Sequence, residues 1–298
     1  MSDKKRRKIL IIGGNRFVGL RLSLLLEKLG SCEIHILNRT GQAPHCRTAI
    51  VHKGDRRYLN QTAVDHEYDA IFDFAGFNEL DAKSAVQHFT KVGRYIFIST
   101  LSVYDLGAGL KESDFDPLVP LPAGKPDPSL AYQDGKRRAE AVFHSQSVFP
   151  AVSVRFPVIL GEDDYTDRLE FHVHRVELGE DIYLPNPTAR ISMVDSQDAA
   201  EFLLWCLDQD FTGPVNVASP EPIQIQELIA QIEKVTGESM VKGKEEDEAA
   251  ASPYGPKSDY YLDVSRMIEL GFKTRKIAAW LPRLIASRVS TKNTESVH

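Results

Sequence analysis

Cysteine is scarce in this chain. The three present, Cys32, Cys46 and Cys206, are odd in number and show no metal-ligand spacing. That excludes a disulfide framework and a cysteine metal site as organising features, and no metal is expected. No apolar run approaches the ~20 residues of a membrane-spanning helix. The N-terminus opens on charge and then enters a strand, so no secretory leader is expected either. A surplus of basic charge is also missing, the formal net charge being −6. The one strongly basic stretch, Lys4-Lys5-Arg6-Arg7-Lys8, reads as a solvated tail leading into the first strand. Nucleic acid is therefore not expected as a partner, because phosphate backbones are bound by basic faces. There is no internal repeat. A cytoplasmic protein with reduced, incidental thiols is the expectation.

What remains is the composition of a soluble globular enzyme, 42% hydrophobic and 26% charged over 298 residues. That length buries a full core, as one large domain or two intimate ones. The first half alternates short apolar runs with amphipathic stretches, the pattern of a parallel sheet covered by helices. Strands are expected at Ile9–Ile12, Glu33–Asn38, Ala49–Lys53, Ala70–Phe74, Tyr95–Ser99, Val152–Phe156 and Val215–Val217. Helices are expected at Phe17–Leu29, stopped by Gly30, and at Leu80–Lys91, Ala131–Ser147 and Ser196–Leu207. Two segments read as irregular: Asp105–Ser129, rich in Gly, Pro and Asp, as a long loop over the sheet edge, and Lys242–Asp259 as a mobile surface loop.

Gly13-Gly14-Asn15-Arg16-Phe17-Val18-Gly19 lies between the first strand and the first helix. Glycine there lets the backbone turn sharply and approach a pyrophosphate, and free N–H groups at the helix start favour an anion. Arg16 stands where the usual pattern has its middle glycine; its guanidinium is expected beside the adenosine ribose. The second strand ends Asn38-Arg39-Thr40, without the carboxylate that would hold both ribose hydroxyls and repel a 2′-phosphate. Two arginines could embrace that phosphate, so NADP(H) is favoured over NAD(H). Gly54-Asp55 follows the third strand, where Asp55 can accept a hydrogen bond from the adenine amine. Asp73-Phe74-Ala75-Gly76 ends the fourth, and Ala75 and Gly76 let the backbone pass close to the adenosine half.

Of ten tyrosines, only Tyr132 has a lysine four residues on, Lys136. On a helix that spacing puts both side chains on one face. A free phenol titrates near pH ~10, and an adjacent ammonium and an oxidised nicotinamide would together bring it toward the working range of a general base. The strand Tyr95-Ile96-Phe97-Ile98-Ser99-Thr100 ends in hydroxyls, which point into the crevice where open α/β sheets bind ligands.

These residues together resemble the extended short-chain dehydrogenase/reductases, which include nucleotide-sugar epimerases and dehydratases. The resemblance makes Thr100 the hydroxyl that orients the substrate oxygen, with Ser99 beside the cofactor and Ser102 beside the substrate. Tyr132 becomes the acid/base, and Lys136 its electrostatic support and ribose ligand. Glu140 fits the family's helix pattern, while Asp105 replaces the usual glycine after Val103-Tyr104. Arg155-Phe156-Pro157 looks like the strand leading into a substrate lobe, with Pro157 near the nicotinamide. The resemblance continues through Arg190-Ile191-Ser192-Met193-Val194, Asp198-Ala199-Ala200 and Pro214–Ala218 to Asp263 and Gly271-Phe272, and so covers nearly the whole chain. The opening glycine turn and Asn38-Arg39 also resemble an atypical branch that includes plastid RNA-associated members.

The implied fold is α/β, a Rossmann doubly wound parallel sheet with a smaller C-terminal substrate lobe. The dinucleotide-binding domain would span residues 1–156, completed by about 191–218, and the lobe 157–190 and 219–298. The implied activity is NAD(P)-dependent hydride transfer at a carbinol or carbonyl carbon. A nucleotide sugar is the first expected substrate, with Arg190 clamping its diphosphate, although no second arginine lies between Glu245 and Val264. An NADPH-dependent small-molecule reductase, or a non-catalytic NADP(H)-sensing or RNA-associated protein, stands as the alternative. A second copy of the chain, as a homodimer, is the expected macromolecular partner.

Overall fold

The computed structural model describes residues 6–62, 64–121 and 131–289. Lys4 and Lys5 of the basic stretch, and residues 122–129 of the expected long loop, lie outside them. Seven parallel strands form the central sheet: β1 (Arg7–Ile12), β2 (Cys32–Asn38), β3 (Ile50–Lys53), β4 (Ala70–Asp73), β5 (Tyr95–Thr100), β6 (Ala151–Phe156) and β7 (Gly213–Asn216). Their spatial order is 3-2-1-4-5-6-7. The chain reverses direction across the sheet between β1 and β4, the switch point at which doubly wound folds open a crevice.

Burial on both faces follows from the alternation of side chains along a strand. Ile9 and Ile11 point to one side, where they meet Leu22 and Leu26 of α1 (Phe17–Leu29) and Phe202 of α5 (Ser196–Trp205). Leu10 and Ile12 point to the other, into Ala85 of α2 (Glu79–His88) and Phe143 of α3 (Ala131–Gln146). α1 ends where expected: Gly30 takes φ 68° and donates to Leu26 and Glu27 carbonyls.

A separate hydrophobic cluster lies beyond the sheet. It is built from α4 (Arg168–Leu178), α6 (Ile225–Thr236) and α8 (Ile277–Arg288), with Val173, Ile229, Trp280 and Leu281 among its members. The short helix α7 (Ser265–Glu269) packs instead with the central core through Met267. Both segments expected to be irregular carry structure. Gly107–Leu110 is a strand paired with Tyr260–Leu262, because the Leu110 carbonyl accepts from Asn216 Nδ2 at 2.9 Å and from the Asp263 N–H at 2.8 Å. The stretch expected as a mobile loop is tied down by a buried Ala250 and by Tyr254, whose ring stacks on His172 at 4.9 Å. Isolated apolar residues in a polar stretch gave no period to read.

One buried ion pair joins these parts. Arg155 on β6 and Glu140 on α3 are both fully buried, with Nη2 2.6 Å from Oε2. The same guanidinium donates to the Tyr104 hydroxyl at 2.7 Å and to the Glu112 and Phe115 carbonyls at 3.0 and 2.9 Å. Ser99 Oγ donates to Glu140, and the Tyr104 hydroxyl donates to Asn216 Oδ1 of β7 at 2.8 Å. Removing one member of such a pair leaves an uncompensated charge, at a cost of roughly 3–5 kcal/mol. Glu140→Leu should therefore lower unfolding stability by about that amount in urea denaturation; a midpoint equal to that of the wild type would contradict this role.

Candidate active site

A cavity of about 1090 Å³ runs along the C-terminal ends of the strands at the switch point. Its floor is the turn after β1. Gly13 and Gly14 have φ 83° and 74°, a region that disfavours side chains, and a Cβ on Gly19 would sit 2.2 Å from the Gly14 Cα. The glycines thus let α1 close directly onto the turn. The cradle they leave fits a dinucleotide pyrophosphate, with Gly13, Gly14, Asn15, Arg16, Phe17, Val18 and Gly19 all lining it. Asn15 and Asn38 hold the wall beside it: Asn38 Nδ2 donates to Asn15 Oδ1 at 3.1 Å, and Asn15 Nδ2 to the Gln42 carbonyl at 2.6 Å.

Arg39 and Asp55 also face the cavity. Asp55 caps the turn after β3 and is gripped by Arg57, through the backbone N–H at 2.9 Å and the guanidinium at 2.6 Å. These hydrogen bonds hold its carboxyl down at about 2. Arg39 is exposed and makes no ion pair among the described residues, though its charge also steadies Asp55. Arg16 lines the cavity too, with its guanidinium over the Tyr165 ring, 5.6 Å from the centroid.

At the other end of the cavity α3 presents its functional stripe. A Cβ on Gly135 would stand 2.5 Å from the Phe77 carbonyl, so the helix seats against that loop and buries the next residue. Lys136 is buried, and its Nζ donates to the Gly76 carbonyl at 2.7 Å and the Ile98 carbonyl at 2.8 Å. Burial presses the ammonium down to about 8, against the pull of Asp73 and Glu140. It sits 4.7–4.9 Å from the ring centroids of Phe97 and Phe77, and 6.0 Å from that of Tyr132.

Tyr132 is half exposed, its hydroxyl meeting Thr100 at the end of β5. Its phenol is raised by desolvation, and the Thr100 hydroxyl and the Arg168 charge offset this only in part. The Lys136 ammonium is directed at two carbonyls and is not among the groups that offset this. Thr100 Oγ1 accepts from the Ser102 N–H at 3.1 Å and donates to Ser102 Oγ at 3.3 Å.

Ser99, Thr100, Ser102, Tyr132, Lys136, Pro157 and Ala75 all line the cavity as expected from the sequence. Ser99, however, has its hydroxyl engaged by Glu140. Two expected residues do not line it. Gly76 turns its carbonyl to Lys136. Arg190 is held by Asp259, with Nε 3.0 Å from Oδ2, and stacks on Tyr261 at 4.7 Å, so its charge is satisfied outside the cavity. Conversely, Arg56, Arg57, Tyr165, Thr166 and Arg168 line the cavity unforeseen. Arg56 forms a buried pair with Asp73, which also accepts from the Tyr95 hydroxyl at 2.7 Å. Arg168 arrives only because the chain leaving β6 returns over the sheet edge, which no local pattern encodes. A second cavity of about 580 Å³ lies beside the N-terminal ends of β6 and β7 and contains none of the expected site residues.

No family model matches the chain. It is 27% identical over 212 residues to the chloroplast stem-loop binding protein of 41 kDa b of Arabidopsis thaliana. That match takes in 65% of this chain and 53% of the relative, so the chain spans about half the relative's length. Among solved structures it superposes on UDP-glucuronic acid 4-epimerase of Bacillus cereus, in complex with NAD, with a TM-score of 0.71 at 18% identity, covering 94% of this chain and 95% of that one. UDP-glucose 4-epimerase of Thermus thermophilus, also in complex with NAD, gives 0.71 at 16% identity over 94% and 98%. The likeness is one of fold: over nearly its whole length the chain carries the fold of these two UDP-sugar 4-epimerases, as the resemblance to the extended short-chain dehydrogenase/reductases implied.

Proposed function

We propose that this chain is an NAD(P)-dependent enzyme of the epimerase and dehydratase type, acting at a carbinol or carbonyl carbon of a nucleotide sugar. The observation that carries the reading is convergence: one cavity holds both the glycine cradle and the Thr100, Tyr132 and Lys136 side chains. Its electrostatics agree. Among the described residues six basic side chains and two carboxylates line it, in a chain whose net charge is −6, which favours an anionic ligand such as a dinucleotide. Stem-loop binding, the activity in the name of the chloroplast relative, gains no support from a chain whose charge is acidic overall.

A bound nicotinamide supplies reversible hydride acceptance. The rest falls to the protein. Gly13, Gly14 and the N-terminal turn of α1 hold the pyrophosphate. Thr100 positions the reacting oxygen, and Tyr132 moves the proton on that oxygen. Lys136 has two of its three N–H donors committed to carbonyls, leaving one for a cofactor ribose. The cluster around α4, α6 and α8 is the substrate lobe. Arg39, in a strand end Asn38-Arg39-Thr40 that carries no carboxylate of its own, selects the 2′-phosphate of NADP(H).

Three outcomes are expected. NADPH should bind more tightly than NADH by about 1.5–3 kcal/mol, one charge-assisted hydrogen bond, in fluorescence titrations; equal affinities would remove the NADP assignment. Cofactor affinity should fall as pH rises through about 8, where Lys136 loses its charge; a flat profile across that range would sever Lys136 from the cofactor. Tyr132→Phe should abolish conversion of a UDP-sugar by at least about 100-fold, the scale of general acid–base catalysis, while leaving cofactor affinity intact. Full activity in that variant would sink the mechanism.

A further inference from the structure

Resting on the reading of the cavity as a cofactor and substrate site, we propose that Arg168 recognises an oxyanion of the substrate next to the reacting carbon. Arg168 opens α4 and lines the cavity at the Tyr132 end. Among the described residues the carboxylates that line the cavity, Asp55 and Asp81, belong to other parts of it: Asp55 follows β3 and is held by Arg57, and Asp81 accepts from the Phe77 N–H at 2.8 Å. Among the described residues Arg168 makes no ion pair, and its side chain donates once, from Nε to Thr166 Oγ1 at 3.0 Å. The guanidinium fork is therefore left for a ligand. Of the other basic groups near this end, Lys136 is directed at carbonyls and Arg16 lies over the Tyr165 ring.

The residue is also held in place before any ligand arrives. Thr166 Oγ1, which accepts from Arg168, itself donates to the buried Asp164 at 2.7 Å. The Arg168 carbonyl lies 2.8 Å from Nδ1 of the fully buried His172, and the preceding Asp167 adopts φ 53°, a left-handed conformation that is costly for a residue with a side chain. A fixed fork beside the proton-transferring hydroxyl suits a planar or tetrahedral oxyanion. The substrate is thus a hydroxy or oxo compound with a carboxylate or phosphate close to the carbon that reacts, and neutral sugars without such a group bind poorly.

The test uses the full chain with saturating NADPH or NADH and four probes: UDP-glucose, UDP-glucuronic acid, inorganic phosphate and L-malate, titrated calorimetrically against wild type, Arg168→Met and Arg168→Lys. At least one anionic probe should lose roughly tenfold or more in affinity in Arg168→Met, with a smaller loss in Arg168→Lys, which keeps the charge without the fork. A loss confined to UDP-glucuronic acid or malate assigns the oxyanion to carboxylate, and one confined to inorganic phosphate assigns it to phosphate; an equal loss for UDP-glucose and UDP-glucuronic acid puts Arg168 on the diphosphate, away from the reacting carbon, and overturns the proposal. If no probe binds, or if Arg168→Met binds every probe within about twofold of wild type, the proposal is overturned. The cofactor titrations report separately: their failure would remove the cofactor reading, whereas bound cofactor with unchanged anion affinities removes Arg168 alone. Arg168→Lys retains a cation at the position, so a loss in Arg168→Met that it rescues reports on charge and not on misfolding.

Discussion

The Arg155–Glu140 pair is the constraint on which the site depends. Two full charges without solvent are tolerable only when each is matched, and here every partner belongs to a different element: α3, β5, the segment before the Gly107–Leu110 strand, and the turns after it. Glu140 sits one turn below Lys136 and two below Tyr132 on the same helical stripe. Fixing Glu140 therefore fixes the rotation of α3 about its axis, and with it the direction in which the lysine and the tyrosine project. The close seat of Gly135 on Phe77 fixes the remaining freedom, the distance of the helix from the sheet.

A second consequence concerns charge. The basic groups that line the cavity are not equally free. Arg56 is neutralised by Asp73, Arg57 by Asp55, and Lys136 is solvated by carbonyls and pressed toward its neutral form. Arg16 is stacked on Tyr165, and Arg39 and Arg168 are left without ion pairs among the described residues. The positive potential of the cavity is thus concentrated on a few side chains at its two ends, where a long anionic ligand would place its own charges.

Much of this was legible in the sequence, for reasons of periodicity. Strands buried on both faces are continuous apolar runs and α1 is leucine-rich between glycines, so the sheet, α1 and α3 could be read almost to the residue. The glycine turn and the Tyr132–Lys136 spacing were legible because their chemistry depends on local spacing. Contacts made across the chain left no such trace. Arg190 looked like a substrate clamp until Asp259, 69 residues on, took its charge. Arg16 is drawn to Tyr165, and Arg168 reaches the cavity through a return of the chain that has no signature. The strand at Gly107–Leu110 was hidden because a glycine-rich stretch becomes a strand only when a distant one, Tyr260–Leu262, pairs with it.

The cleft has two unlike walls. On the side of α3, backbone sets the shape: a missing Cβ at Gly135, two carbonyls on Lys136, a helix locked in phase. On the side of residues 161–168 side chains set it, with Arg21 gripping Asp163 at 2.6 Å and Arg288 reaching the Gly161 and Glu162 carbonyls at 2.8 and 2.7 Å. A wall built from backbone resists variation, because each change in it propagates into the core. A wall held by guanidinium groups can be recut one side chain at a time. In a protein of this design the shape of the first wall is fixed by the fold, and that of the second is open to change.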